Sequence, residues 1–253
     1  AKISMKNPIV AHELKRQSKG VKICRISTVP FFMVSQLKSQ VEYLKDQGMQ
    51  VILVSSDGPE WSMINAGQGL SVKIINIPRS LKPWQDFIAL IRLIQFFRIH
   101  HFDIAHSTTP KAGLLTAIAA FISGIPIRLH TFTGQRWTTL KGIIRWSSRS
   151  ADQLIGILNT KCYADSSSQA QFMVKEGILS SRKIAVIGQG SLAGVDTIRF
   201  NPARWSLSEK HFIRQSVSIA LSAKIVIFVG RISPDKGIAE LISAFHDLLS
   251  KNY

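Results

Sequence analysis

Val21-Lys22-Ile23-Cys24-Arg25-Ile26-Ser27, the run 34–47 closed by Gly48, and then Val51-Ile52-Leu53-Val54-Ser55 decide the fold. A short, mainly apolar run, a longer amphipathic one and a second short apolar run together read as one strand–helix–strand unit. Gly48 supplies the helix stop, and Asp57-Gly58-Pro59 the turn after the second strand. The alternation continues outward. Further strands are expected at 72–77, 102–106, 127–131, 161–164 and 183–187. Helices are expected at 83–98, 111–122, 140–159 and 168–176, the last stopped by Gly177. On the helix from Pro83, residues Leu90, Leu93, Ile94 and Phe97 fall on one face. Buried strands separated by helices imply an α/β fold with a mostly parallel, helix-covered sheet. In such folds ligands sit beyond the carboxyl ends of the strands, so the loops after strands carry most of the functional information.

After Gly188 the organisation changes. Residues 188–202 read as loop, rich in glycine and closed by Asn201-Pro202. A helix is expected from 206 to about 220, a buried strand at 224–229, a loop at 230–236 and a helix at 237–250. One strand and one helix cannot bury a core. The expected organisation is therefore a basic N-terminal extension at 1–20 and a complete Rossmann-like domain at 21–202, which contains an interdomain segment at 188–202. Residues 203–253 are expected to begin a second domain whose remainder lies beyond this sequence.

The 32 Lys+Arg against 15 Asp+Glu leave a net charge of +17, an excess that suits polyanionic partners: nucleic acid, an anionic membrane or phosphorylated ligands. Charge does not choose among them. Cys24 and Cys162 belong to no CxxC pair and read as reduced, buried thiols of a cytoplasmic protein. The longest apolar stretch, 112–127, is broken by Thr116, Ser123, Gly124 and Pro126 and falls short of the ~20 residues that span a bilayer. The first twenty residues hold no apolar run long enough for a signal peptide.

Several chemistries find no support. There is no P-loop, no HExxH, no CxxC and no GxSxG, and no two aspartates lie two apart, which leaves no metal–diphosphate clamp of the DxD kind. Gly188, Gly190 and Gly194 have the wrong spacing for a dinucleotide fingerprint and precede a loop where a helix is needed. The informative segment is Phe228-Val229-Gly230-Arg231-Ile232-Ser233-Pro234-Asp235-Lys236-Gly237. A strand would deliver Gly230 and Arg231 to its carboxyl end, and Lys236 leads into a helix start. Two cations beside free helix N–H groups make a metal-free diphosphate site. The same segment also reads as a polar connection with solvated charges.

This segment resembles the GR(L/I)xPEKG stretch that opens the donor domain of glycosyltransferase family 4, and the run 194–202 resembles that family's NGVDxxxFxP interdomain segment. Asp103-Ile104-Ala105-His106, Asp165-Ser166-Ser167-Ser168-Gln169 and His130-Thr131-Phe132-Thr133-Gly134-Gln135 with Trp137 resemble further family segments, the last from a branch associated with surface polysaccharides. The resemblance covers the chain from about Val21 onward. It implies a GT-B fold and transfer of a hexosyl unit from a nucleotide sugar, UDP- or GDP-linked, to a polysaccharide or lipid-linked acceptor. It further implies retention of configuration, with no metal and no cofactor. By position, Gly230, Arg231 and Lys236 would bind the donor diphosphate. Thr133 stands where the family commonly has a catalytic histidine, and Gly134, Gln135, His106 and Ser107 would line the acceptor or sugar cleft. His130 reads either as catalytic or as a buried core histidine. Phe31 and Phe32 read as core packing or as acceptor contacts, and 165–169 as a helix cap or a cleft contact. The family's Glu-x7-Glu pair is absent, so this polypeptide alone is expected to be inactive.

Lys2, Lys6, Lys15, Arg16, Lys19, Lys22 and Arg25 crowd the first 25 residues, while Lys141, Arg145 and Arg149 recur at i, i+4, i+8 with Trp137 and Trp146 nearby. Together they read as a surface for peripheral docking at the inner face of the cytoplasmic membrane, or as a solvated basic face. A basic α/β binding module and a non-catalytic partner subunit are the competing readings. The signatures of nucleic-acid recognition are missing.

Overall fold

The computed structural model describes residues 18–63 and 70–250. The chain divides into two compact units, residues 1–196 and 197–253.

The first unit is a seven-stranded parallel sheet in the order β3-β2-β1-β4-β5-β6-β7, formed by β1 (Lys22–Ile26), β2 (Gln50–Ser55), β3 (Ser71–Ile74), β4 (Ile104–Thr108), β5 (Ile127–Phe132), β6 (Lys161–Ala164) and β7 (Ile184–Val186). The chain winds outward from β1 in one direction and from β4 in the other, which places the switch point of the sheet between these two strands. Its helices are α1 (Pro30–Gln36), α2 (Lys38–Asp46), α3 (Pro83–His100), α4 (Pro110–Ile122), α5 (Gly142–Leu158) and α6 (Ser167–Lys175).

Alternate residues of each strand feed two cores. Cys24, Ile26, Val54 and Ala105 pack against Leu93, Phe96 and Phe97 of α3 and against Ala112, Leu115 and Ala119 of α4. Ile23, Val51 and Leu53 pack on the other face against Met33 of α1, Val41 of α2 and Leu37 between them. A third cluster joins Phe132, Trp137, Ile155, Cys162 and Met173. Both cysteines are free and buried, as their sequence context implies.

The expected helix over 34–47 is two helices. Pro30 starts the first four residues early, the position its fixed φ suits. Ser35 Oγ bonds back to the Phe31 carbonyl at 2.6 Å, and the chain breaks at the buried Leu37.

The second unit contains α7 (Leu207–Ser216) and α8 (Ile238–Ser250). Ser206 and Glu209 form a reciprocal capping box at the start of α7. The strand expected at 224–229 is not formed: these residues are irregular, and Ile225, Val226, Ile227 and Val229 are exposed. A parallel strand exists only through its ladder partners, and no strand pairs with this segment among the described residues.

Candidate functional site

At the switch point, the loop after β1 is tied to the loop after β4. Thr28 N–H donates to Thr109 Oγ1 at 3.2 Å, and the two hydroxyls are 2.8 Å apart. Thr109 immediately precedes α4 and holds φ at 75°, a conformation a β-branched residue rarely adopts.

Next along the carboxyl edge lies a buried polar layer shared by β4 and β5. His106 Nε2 and Thr131 Oγ1 are 2.8 Å apart, and Ser107 Oγ and His130 Nδ1 are 2.9 Å apart. Register pairs Ser107 with His130, so the two dyads lie on opposite faces of the sheet. His130 is 1% exposed and abuts Gly113 of α4, where an added Cβ would come within 2.4 Å of the imidazole. Burial, reinforced by the Arg25 charge, lowers the His130 pKa to about 3. Burial also holds His106 well below the usual histidine range, with Arg25 and His130 adding to the effect. Both rings are therefore neutral at pH 7. The structure places His130 in the core beneath the edge.

Thr133 and Gly134, just past β5, are exposed at the carboxyl edge. Gln135 is half-buried and tethered: its Nε2 donates to Met173 Sδ at 3.4 Å, and its Oε1 accepts from Gln169 Nε2 at 3.3 Å. Gln169 Oε1 in turn accepts from Asp165 N–H at 2.7 Å. Ser166 caps α6 through Gln169 N–H, as the 165–169 turn suggests. Asp165 fastens the segment 188–192 over the sheet, its carbonyl accepting from Ser191 N–H at 2.7 Å and its Oδ1 from Leu192 N–H at 3.1 Å. Gly190, at φ 95°, passes so close that a Cβ there would lie 2.2 Å from the Asp165 carbonyl. Under this strap is a cavity of ≈ 60 Å³ walled by Gln40, His106, Thr131, Tyr163 and Asp165.

Three surface assignments need correction. Arg25 is fully buried, with Nη2 on Gln40 Oε1 at 3.1 Å, and contributes nothing to the basic surface. Trp137 is 1% exposed, stacks on Phe172, and donates its indole N–H to Asp152 at 2.9 Å. Arg149 lies over the Trp137 ring and bonds the Glu176 carbonyl, which also takes it out of the surface array. Lys2, Lys6, Lys15 and Arg16 fall outside the described residues. Phe32 packs into the core beside Met33, whereas Phe31 is exposed. Within the second unit, Gly230, Arg231 and Lys236 are exposed, and Lys236 ends a 3-10 turn leading through Gly237 into α8. Sequence reasoning missed Arg25, Gln40 and Thr109 as site-forming residues. A lone arginine inside a buried strand was the signal for the first.

The model for Glycosyltransferase Family 4 matches residues 33–190, more than half of the chain. The chain belongs to glycosyltransferase family 4. Among curated family relatives, the Staphylococcus aureus capsular polysaccharide biosynthesis glycosyltransferase CapM is 32% identical over 235 residues, covering 93% of this chain and 60% of that protein. The Escherichia coli UDP-Gal:alpha-D-GlcNAc-diphosphoundecaprenol alpha-1,3-galactosyltransferase is 24% identical, covering 94% of this chain and 61% of that protein. The chain thus spans about three-fifths of the length of these relatives. Among solved structures, a Rickettsia africae glycosyltransferase matches with TM-score 0.66 at 17% identity, covering 90% of this chain and 57% of that one. Anabaena HepE, solved with UDP and glucose, matches with TM-score 0.67 at 18% identity, covering 89% and 57%. These likenesses establish the GT-B fold class. The family match encompasses the His106–Thr131 and Ser107–His130 dyads and the Asp165–Gly190 strap.

Proposed function

We propose that this family 4 chain is the acceptor-side portion of a transferase that moves a hexosyl unit from a UDP- or GDP-linked sugar to a lipid-linked or polysaccharide acceptor in cell-surface polysaccharide synthesis. The observation that carries the reading is the carboxyl edge of the sheet. There Thr133 and Gly134 stand exposed above a rigid, buried layer of hydroxyl and imidazole groups, where a doubly wound sheet receives its ligand. CapM and the Escherichia coli galactosyltransferase support the substrate classes by their own activities.

In this reading Thr133, Gly134 and Gln135 contact the acceptor or the transferring sugar, and His130 positions β5 from beneath. Gly230, Arg231 and Lys236 receive the diphosphate and offset the charge that develops on the leaving nucleoside diphosphate, with retention and without a metal. Lys141, Arg145 and the exposed Trp146 at the start of α5 seat the chain against an anionic membrane at the cytoplasmic side, where a lipid-linked acceptor would be met.

The test is an assay of this polypeptide with UDP-hexoses and a polyprenyl-diphosphate saccharide. Acceptor binding without product is expected, because no two glutamates stand eight apart to hold the donor ribose and sugar. Product is expected once the C-terminal two-fifths of CapM is appended. Product from the chain alone would overturn the expected inactivity, and absence of acceptor binding would overturn the acceptor-side reading.

A further inference from the structure

The loop that carries Thr133 and Gly134 is tied down through the residue after it. One face of α6 holds both ends of the Gln135 side-chain amide: Oε1 accepts from Gln169 Nε2 at 3.3 Å, and Nε2 donates to Met173 Sδ at 3.4 Å. Gln169 and Met173 stand four residues apart, about one helical turn, so the amide lies along the helix with its orientation fixed. Gln135 also carries the turn that follows, its carbonyl accepting from Thr138 N–H at 3.1 Å and from Thr138 Oγ1 at 2.8 Å.

Gln169 is the third residue of α6. A glutamine or glutamate there ordinarily reaches back to the N-cap N–H, as Glu209 reaches Ser206 at the start of α7. Gln169 reaches one residue further, and its Oε1 accepts from Asp165 N–H at 2.7 Å. Asp165 in turn holds Ser191 N–H on its carbonyl and Leu192 N–H on Oδ1. The bonds thus join the segments after β5, β6 and β7, three neighbouring strands, along the carboxyl edge. Gln169 must turn its oxygen to Asp165 and its nitrogen to Gln135, which an amide can do and a carboxylate cannot. Both glutamines are half-buried and give up rotamer freedom that neutral hydrogen bonds only about offset. What the arrangement supplies is position.

We propose that Gln169 is a positioning residue for the acceptor: through Gln135 it sets where Thr133 and Gly134 stand, and through Asp165 it makes that loop and the 188–192 strap move as one. The role rests on the reading of Thr133 and Gly134 as acceptor contacts, and Gln169 acts without touching the acceptor itself.

The experiment is amide hydrogen exchange of the full chain, read at Thr138 for the loop and at Ser191 and Leu192 for the strap, with binding of the same polyprenyl-diphosphate saccharide alongside. Gln169→Glu still accepts from Asp165 N–H and places a negative charge in the first turn of α6, where a helix favours it, but it cannot donate to Gln135. A merely structural Gln169 would lose nothing by this change. A positioning Gln169 loses the loop: exchange at Thr138 should rise at least fivefold and the saccharide should bind at least fivefold more weakly, while the strap, held by Asp165, keeps its protection. Gln135→Glu brings the same charge yet still accepts from Gln169, and should leave Thr138 within about twofold of the wild-type rate. Gly190→Ala, which lifts the strap, should raise exchange at Thr138 as well as at Ser191 and Leu192. A wild-type rate at Thr138 in Gln169→Glu, or an equal rise in both glutamate variants, would overturn the proposal, as would a Gly190→Ala chain whose strap is freed while Thr138 is untouched. Saccharide bound equally by the wild type and Gln169→Glu would overturn the proposal and leave the acceptor-side reading standing. No saccharide bound by the wild type would remove that reading and the proposal with it.

Discussion

Thr28 and Thr109 join their hydroxyls at 2.8 Å across the switch point of the sheet, binding the loop after β1 to the loop after β4. The bond holds Thr109 at φ 75°, a backbone state that costs ~1–3 kcal/mol in a non-glycine residue. Thr109→Val keeps the strain and loses both contacts with Thr28, so a destabilisation of about 2 kcal/mol is expected in urea unfolding. Thr109→Gly loses the same contacts but relieves the strain, and should be at least 1 kcal/mol more stable than the valine variant. Equal midpoints for the two variants would show that the conformation carries no strain.

Gly190 is the pivot of the strap over the cavity. A methyl group there would collide with the Asp165 carbonyl and force a side chain into φ 95°. Gly190→Ala should therefore cost ~1–3 kcal/mol and pull the strap off its two Asp165 bonds. Hydrogen exchange at the Ser191 and Leu192 amides would read the release directly. Unchanged protection at both would show that the strap does not depend on this close approach.

Much of this architecture was legible because a buried parallel sheet writes itself into sequence as short apolar runs at helix-length intervals. Strand β6 appears with the limits its pattern gives, and α5 and α6 fall within two residues of theirs. Residues 224–229 carry the same apolar signature yet form no strand, since pattern records the capacity to be buried and pairing requires a neighbour. Thr133 and Gly134 were placed correctly at the strand end, because a loop position follows from where the apolar run stops. Arg25 and Trp137 were misplaced for one shared reason. Each was read from the basic residues near it in sequence, and only the fold brings Gln40 to the guanidinium and Asp152 to the indole N–H. Thr109 was invisible, since nothing in its chemistry announces a positive φ.

Buried ionisable groups give the first unit opposing pH dependences. His130 has a folded pKa of about 3, depressed from 6.5, so its contribution is fully present above pH 6.5 and is lost as pH falls toward 3. Asp152 runs the other way. Burial raises its pKa from 3.8 to about 6 against the opposing Trp137 bond, so its penalty is absent below pH 3.8, grows as pH rises, and is complete above 6. Asp152→Asn keeps an acceptor for the indole and should stabilise the chain at pH 7.5 by about 1–3 kcal/mol, while doing little at pH 4. His130→Asn should blunt the loss of stability below pH 6. Urea midpoints measured from pH 4 to 8 check both, and a uniform shift across that range in either variant would contradict the assignment.

The proposed docking of the first unit on an anionic membrane would use two exposed helix starts. Short connections set the C-terminal ends of α3 and α5 beside the starts of β4 and β6, so the opposite ends of these helices lie toward the carboxyl edge of the sheet; α4 packs between them. At one start Trp84 and Phe87, with Leu81 just before the helix, and at the other Ile143, Ile144 and Trp146 are exposed, with Trp84 at 73% and Trp146 at 67%. Arg79, Lys82, Lys141 and Arg145 are exposed among them. Apolar side chains interleaved with cations suit an anionic interface, and the four cations contribute ~1 kcal/mol each near such a surface. The chain should therefore sediment with vesicles containing phosphatidylglycerol in low salt and be released as salt rises. Lys141→Ala/Arg145→Ala should weaken binding about 30-fold, the equivalent of ~2 kcal/mol. Trp146→Ala should weaken it in a way that salt does not alter, because the indole acts through apolar insertion. Binding that ignored both sets of substitutions would place the docking face elsewhere on the chain, and a wild-type chain left in the supernatant at low salt would rule out membrane docking altogether.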